Sequence, residues 1–292
     1  LTFTALEDNC SIGFYNNPDS SIEPTVEYSF DKNNWNVLTE DKVSIPQNTN
    51  MYCRGLNPNG ISGGCGEDGY NYFIGEGKFN VSGDIMTLID YGTIPDSMVG
   101  TFYNLFGGNI DTSRDDFVDI VDASKLVLSA KVLTNDCYQR MFSSCTSMIY
   151  GPQIKAEVLT SYCCWGMFIE CTSLVTAPKL PATTLASYCY CSMFKFCTSL
   201  TKAPNLPATT LATRCYDSMF EDCSKLNYIK AMFTTTPSTI YTSYWVYGVS
   251  STGTFVKNKN ATWDVTGRDG TPSGWTVVLA EEDGGGQLDF PI

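Results

Sequence analysis

The chain has 292 residues, of which 18 are basic and 31 are acidic, so its net charge is −13. This balance excludes a typical nucleic-acid binder, because such proteins displace counterions with clustered lysine and arginine. The sequence has no histidine and therefore lacks the commonest general base, the usual partner of serine and cysteine nucleophiles, and the commonest transition-metal ligand.

Residues 1–83 are predicted to form a small β domain. Val26, Tyr28 and Phe30 alternate with polar residues, a pattern typical of a half-buried strand. Other short runs of β-forming residues follow at similar spacing, which favours a β-sandwich-like fold. These further strand-like runs are residues 1–6, 42–46, 51–56 and 70–74.

Two glycine-rich patterns in this domain match motifs of cofactor binding or catalysis. Residues 64–69 fit Gly-x-Gly-x-x-Gly, but strand-like residues follow them and two carboxylates stand where a phosphate would lie, which favours a plain β loop. Residues 60–64 fit the turn that carries a nucleophilic serine, here Ser62, yet no histidine is present to activate it. The sequence therefore predicts no catalytic residue, no metal ligand and no cofactor.

Residues 83–107 are predicted to be a first, degenerate repeat, with Leu105 and Phe106 in place of a later Met-Phe pair. Five aspartates follow between 111 and 122, and clustered carboxylates can bind calcium. Because their spacing matches no EF-hand and Arg114 lies among them, a solvated acidic insertion is favoured. A carboxylate pair for glycoside hydrolysis stays open, since two such residues can be far apart in the chain.

A 26-residue repeat occupies residues 126–226 approximately. Met-Phe pairs begin at Met141, Met167, Met193 and Met219, and cysteines recur at the same step on both sides of each pair. Self-similarity of this kind indicates stacked units that share one core. The aligned cysteines are Cys137, Cys163, Cys189 and Cys215 before the pairs, and Cys145, Cys171, Cys197 and Cys223 after them.

Within each unit the first cysteine, the methionine and the second cysteine are four residues apart, which predicts a short helix with one inward face. The segment after it contains two prolines, Pro178 and Pro181 in one copy, and predicts a short strand and a turn. Stacked coils would place identical residues roughly 5 Å apart. The cysteine columns are therefore interpreted as buried thiols or, alternatively, as disulfides between adjacent coils.

The run 193–200, followed by Leu206 and Pro207, resembles the BspA-like, treponemal-type leucine-rich repeat. Residues 254–258 and 272–277 are similar to the closing element that follows such repeats in gut Bacteroidales proteins and their phages. The resemblance implies a leucine-rich-repeat solenoid, and surface display and adhesion without catalysis. Because this chain departs from the commoner 23-residue unit, carrying Met before Phe and Cys-Tyr where Ile-Gly is usual, no particular ligand is carried over.

Differences between near-identical copies mark a candidate binding surface, because a constant core with altered outward residues suits recognition. Drift after duplication is the alternative. Tyr162, Tyr188, Tyr190 and Tyr216 are suited to contact sugars or protein, although Tyr190 and Tyr216 could instead pack on the cysteine column. The candidate residues are Val175, Thr176, Lys179, Tyr188, Lys195, Thr201, Lys202, Asn205, Arg214 and Glu221.

The sequence thus predicts a mainly β chain with a β-sandwich-like domain over 1–83, a leucine-rich-repeat solenoid over 84–230, a β C-terminal cap over 231–280 and an acidic, glycine-rich tail over 281–292. Its predicted function is non-catalytic binding or adhesion to a protein or glycan, at a cell surface or after secretion. The alternative is a structural or receptor-binding protein of a bacteriophage virion, among neighbouring subunits; the absence of a leader before Leu1 favours it. Neither nucleic acid nor a transmembrane segment is expected. Ligand, host and oligomeric state stay open.

Overall fold

The computed structural model describes residues 1–63, 69–98, 100–108 and 116–280. The predicted tail, 281–292, and most of the Gly-x-Gly-x-x-Gly run lie outside these residues. The structure is mainly β, with 27% of residues in strands and 1% in helix. The strands are β1 (Thr2–Ala5), β2 (Cys10–Tyr15), β3 (Val26–Ser29), β4 (Asn36–Val37), β5 (Val43–Ile45), β6 (Asn50–Gly55), β7 (Tyr72–Glu76), β8 (Lys78–Asp84), β9 (Asp119–Leu128), β10 (Gln153–Ile154), β11 (Tyr228–Ala231), β12 (Thr254–Lys257) and β13 (Thr276–Leu279).

Two sheets form the N-terminal part of the molecule. The larger has the strand order β10-β9-β8-β1-β6-β3-β4 and the smaller the order β5-β2-β7. The larger sheet is mixed, because β8, β9 and β10 run parallel while its other pairs are antiparallel. It takes two strands from beyond residue 84, so the predicted self-contained sandwich is wrong. The predicted domain boundary at 83/84 falls inside β8 and stays a prediction.

The described repeats consist of stacked turns. Between residues 162 and 170, each even-numbered N–H donates to a carbonyl 25 residues later, as from Cys164 to Cys189 at 3.1 Å. Each odd-numbered N–H donates to the carbonyl three residues earlier, as from Met167 to Cys164 at 3.3 Å. Half of the backbone hydrogen bonds here therefore join neighbouring repeats. An α-helix cannot do this, because its N–H groups bond within the helix, four residues back.

The predicted leucine-rich-repeat solenoid, with one short helix and one short strand in each coil, is wrong. The buried column from Cys163 through Met167 to Cys171 repeats every four residues. Over those eight residues an α-helix would rotate the column by about 80°. A left-handed residue in every turn supplies the four-residue period instead. In this copy the left-handed residues, with φ between +58° and +63°, are Tyr162, Gly166 and Glu170.

The expected strands are also absent from the middle repeats of the described chain. Single parallel bridges, such as Thr176 with Lys202 and Lys202 with Tyr228, replace them. Proline has no N–H to donate to a strand ladder. Pro178 follows Thr176 by two residues, and Pro204 follows Lys202 by two residues, so neither bridge extends into a strand. Regular pairing returns only in the C-terminal parallel sheet, β11-β12-β13, whose edge strand β13 has all four residues exposed.

A column of parallel phenylalanine rings runs through the repeats. Phe168 and Phe194 are fully buried, with ring centroids 5.5 Å apart and planes within 4° of parallel. The column begins at Phe73 of β7, so the core between the N-terminal sheets continues into the repeats without a break. Successive centroids are 5.4 to 5.7 Å apart along Phe73, Phe106, Phe142, Phe168, Phe194 and Phe220.

The cysteine columns line the same core. The thiol of Cys197 donates to the carbonyl of Phe168 in the preceding repeat at 3.1 Å, and Cys171 and Cys223 make the equivalent bonds at 3.1 and 3.0 Å. The twelve cysteines in the described ranges are buried thiols, not disulfides. These sulfur atoms therefore act as small apolar residues that also satisfy a backbone carbonyl.

Gly166→Ala is expected to lower the free energy of unfolding by about 1 kcal/mol, because φ is +58° there and a Cβ is disfavoured in the left-handed region. Steric conflict adds little, since the nearest atom to such a Cβ is 3.6 Å away. Ser192 occupies the equivalent position one repeat later with φ +54°, so Ser192→Gly should raise stability by a similar amount. Urea unfolding of the two variants measures both; equal stability of all three proteins would contradict the left-handed turns.

Candidate binding surface

The left-handed residues of the repeats form three columns along the stack, each recurring every 26 residues. Gly166 is buried, and each of the other residues in these columns is exposed or partly exposed. The left-handed conformation costs an L-residue roughly 1–2 kcal/mol, yet several of these positions carry aromatic or charged residues. The columns are Asp136, Tyr162, Tyr188 and Arg214; Arg140, Gly166, Ser192 and Ser218; and Ser144, Glu170, Phe196 and Asp222.

The first column contains what we term the tyrosine ridge, consisting of Tyr162, Tyr188 and Arg214. The rings of Tyr162 and Tyr188 stack with centroids 4.4 Å apart and planes 13° from parallel. The guanidinium carbon of Arg214 lies 5.8 Å from the Tyr188 centroid, and its Nη1 pairs with Asp217 at 3.2 Å. Tyr162 keeps 38% of its surface exposed. Tyr162 and Arg214 therefore both lie over the ring of Tyr188, and the ridge presents stacked aromatic rings that end in a cation.

Trp165 lies in the same turns as Tyr162 and is half-buried. The guanidinium carbon of Arg140 is 4.7 Å from its ring centroid, and its indole Nε1 donates to the sulfur of Cys191 at 3.2 Å. Burial raises the pKa of the Cys191 thiol to about 11. The thiol is therefore neutral near pH 7 and is not an activated nucleophile. Its sulfur accepts the indole hydrogen bond and so holds the ring of Trp165 in place.

Lys195 and Glu221 form an ion pair at 2.8 Å between successive repeats. Both side chains are largely covered, and the ammonium also lies 5.0 Å from the centroid of Phe196. These two predicted surface residues therefore neutralise each other and hold neighbouring repeats together.

The structure divides the ten predicted surface residues between two segments of the repeat. Tyr188, Lys195, Arg214 and Glu221 belong to the turns that carry the ridge. The other six are exposed and lie along the bridged segment, where the Lys202 ammonium is 4.9 Å from the centroid of Tyr228. These six are Val175, Thr176, Lys179, Thr201, Lys202 and Asn205.

Ser62, the candidate nucleophile, is completely buried and no substrate can reach it. Across the described ranges, no group of three or more His, Cys, Asp or Glu side chains is placed to hold a metal ion. In the same ranges no helix has the length and apolar character needed to cross a membrane.

The acidic insertion expected over 111–122 is partly wrong. Asp119 and Asp122 lie in strand β9, where Asp119 accepts a hydrogen bond from Ser147 at 2.8 Å and Asp122 accepts one from the Ser124 N–H at 2.7 Å. These carboxylates therefore support the strand and its neighbours. Asp116 is described, and its backbone carbonyl accepts a hydrogen bond from the Gly75 N–H at 2.9 Å. Asp111 and Asp115 lie outside the described residues.

Sequence reasoning missed Arg140 and Trp165. The candidate surface was drawn from two adjacent near-identical copies, whereas these residues stand in earlier copies, at positions held later by Ser192 and Cys191. The same comparison extended to all four copies would have found them.

Comparisons of the chain with protein-family models, with curated proteins and with solved structures find no match. The resemblance to the BspA-like repeat therefore stays a prediction.

Proposed function

We propose that the protein is a non-catalytic binding protein and that the tyrosine ridge is its contact surface for a protein or glycan. The observation that carries this proposal is the stacked pair Tyr162 and Tyr188, of which Tyr162 is exposed and Tyr188 is partly exposed. Tyrosine is enriched at interfaces because its ring buries a large apolar area while its hydroxyl stays hydrogen-bonded.

Folding does not require these tyrosines. The same column holds Asp136 before them and Arg214 after them, so the turn accepts very different side chains. Glycine would be the least strained choice at a left-handed position. Two successive copies instead place a large aromatic ring there, exposed at Tyr162 and partly exposed at Tyr188, which supports selection for contact with a partner.

We propose further that the ridge is displayed outside the cytoplasm, on a cell surface, in secreted protein or on a virion. The repeat resemblance supports this setting. Burial protects the thiols of the repeats from oxidants, so unoxidised cysteines are compatible with a location outside the cytoplasm. Quantitative mass spectrometry of washed cell envelopes, of cleared culture supernatant and of purified virus-like particles from a producer culture distinguishes the three locations, and enrichment in none of them would contradict the proposal.

Replacing both Tyr162 and Tyr188 with serine is expected to weaken binding at least tenfold, because about 1.4 kcal/mol of ring contact is lost. The measurement is binding to an array of immobilised glycans and to a panel of extracellular-matrix proteins, followed by titration of whichever probe is bound.

The matched control replaces Tyr244 and Tyr247 with serine. Tyr244 is also 38% exposed and left-handed, and its ring meets Tyr247. Binding by this control should equal that of the unaltered protein. Equal losses in both double variants, or no binding to either set of probes, would contradict the proposed surface.

A further inference from the structure

A guanidinium held between two aromatic rings lies at the opposite end of the chain from the repeats. The Cζ atom of Arg54, on β6, is 3.9 Å from the ring centroid of Trp35 and 4.2 Å from that of Tyr91. Its Nε donates to Glu27 of β3 at 2.7 Å. Rings on both faces and a carboxylate at one edge fix the plane of this guanidinium, and its side chain keeps a quarter of its surface exposed.

Backbone structure holds both rings in place. The indole Nε1 of Trp35 donates to the Lys32 carbonyl at 3.0 Å, in a turn that Asp31 closes by accepting two backbone N–H groups at 2.8 Å. The N–H of Tyr91 donates to the Gly55 carbonyl at 3.3 Å, directly after Arg54. The arrangement is therefore preorganised, and a ligand would not have to order it.

The two Nη groups of Arg54 carry four N–H donors, and the described residues give them no acceptor. A guanidinium fork matches the two oxygens of a carboxylate lying in its plane. The edges of aromatic rings are electropositive, so the edges of Trp35 and Tyr91 flank that position favourably. Because Glu27 offsets much of the cationic charge, geometry rather than long-range attraction selects the ligand.

The same face of β6 continues with groups that suit sugar hydroxyls. Asn50, Tyr52 and Arg54 alternate with buried residues and point to one side of the sheet, over about 13 Å. Thr4 of the neighbouring strand donates to Asn50 at 2.7 Å, and the Lys32 ammonium is 4.2 Å from the Tyr52 centroid. The amide of Asn50 and the hydroxyl of Tyr52 can donate to and accept from sugar hydroxyls.

We infer that this face is a binding site for an acidic oligosaccharide, in which Arg54 holds a sugar carboxylate bidentately between Trp35 and Tyr91 and the row toward Asn50 contacts the next sugar. The site is separate from the tyrosine ridge, so a negative binding result at one of the two surfaces does not contradict the proposal for the other.

The test is titration of the whole protein with tetragalacturonate, and with the same oligosaccharide after methyl esterification, by calorimetry and by NMR shifts of the arginine side chains. Arg54→Lys keeps the charge but loses the planar fork, so it is expected to weaken binding at least tenfold. Esterification should weaken binding to a similar extent.

Arg268→Lys is the matched control. Arg268 also lies over a ring, 4.0 Å from the centroid of Tyr244, and beside a carboxylate, 3.6 Å from Asp269. Its binding should be unchanged.

If Arg54→Lys unfolds, the exposed Tyr91→Ala variant replaces it, with a severalfold loss expected because one flanking ring is gone. Three results would overturn the inference. One is no binding by the unaltered protein up to about 10 mM, above the ~1 mM of a weak site. The second is binding of the methyl ester as tight as that of the free acid. The third is binding of a glutamate-rich peptide as tight as that of tetragalacturonate, which would mean that the natural ligand's carboxylate belongs to a protein.

Discussion

Raising the pH from 8 to 10 is expected to lower the free energy of unfolding by at least about 4 kcal/mol, as measured by urea titration under reducing conditions. Burial raises the pKa of Cys53 and of Cys215 to about 12 and that of Cys191 to about 11. Each such thiol changes stability by about 1.4 kcal/mol per pH unit above its ordinary pKa. The loss is large beside the roughly 5–15 kcal/mol that stabilises a typical domain.

The sign follows from where the protons are bound. In the unfolded chain these thiols ionise near pH 9.0, whereas in the folded chain they stay protonated. Between pH 9 and about 11 the unfolded state therefore binds fewer protons, and stability falls as the pH rises. Below pH 9 the contribution is complete. Burial also raises the pKa of Tyr138, Tyr190 and Tyr216, so the loss continues at higher pH.

A variant with one thiol removed provides the control. Cys215→Ala should reduce the drop between pH 8 and pH 10 by about 1.4 kcal/mol, whatever its effect on stability at pH 7. Stability that is the same at pH 8 and pH 10 in the unaltered protein would mean that the thiols are already ionised or oxidised in the fold.

Phe194→Ala is expected to cost about 3–5 kcal/mol, because it opens a cavity in the middle of the ring column. The ring is fully buried and stacks on Phe168 at 5.5 Å and on Phe220 at 5.7 Å. Stacking contributes a further part of the loss, since each aromatic pair is worth roughly 0.5–1.5 kcal/mol beyond the area it buries. Thermal and urea unfolding at pH 7 measure the cost.

Phe196→Ala is the matched control, two residues along the same turn. Its ring reaches solvent and lies beside Lys195, so its loss should cost about 0.5 kcal/mol or less. Similar costs for the two variants would show that the column is not the core of the repeats.

The alternating N-terminal strands could be read from the sequence, because one face of each is buried. The runs expected at 26–30, 42–46 and 51–56 correspond to β3, β5 and β6. Strand β2 was missed although Cys10, Ile12 and Phe14 alternate with Ser11 and Gly13. Glycine in a strand weakens the β pattern. Strand β9 could not be recognised for another reason. Register shifts in its pairing with β8 interrupt the two-residue alternation of buried and exposed side chains.

The repeats show where spacing alone is ambiguous. A four-residue step is close to the helical 3.6, so the pattern favours a helix unless its drift over several turns is followed. The decisive feature is a left-handed conformation at residues such as Tyr162 and Glu170. Neither residue type favours that conformation, so composition could not indicate it; the neighbouring repeats impose it by accepting every second N–H.

The candidate surface could be predicted only in part. Copy comparison finds Tyr188 and Arg214 because they vary at one position of the repeat. It cannot find Arg54, Trp35 and Tyr91, which are far apart in the chain and have no counterpart in other copies. Sheet pairing and a turn bring those three together, and no sequence spacing reports such a contact.

Because each repeat gives the next the same backbone hydrogen bonds and the same ring contact, nothing in the stack sets its length. Removing residues 175–200, one whole period, would bring Phe168 against Phe220 with the donors and acceptors still matched. Unequal crossing-over between the copies in the gene can therefore lengthen or shorten the molecule by whole repeats. The distance between the N-terminal sheets and the C-terminal sheet is in that sense a heritable variable, open to selection without any new fold.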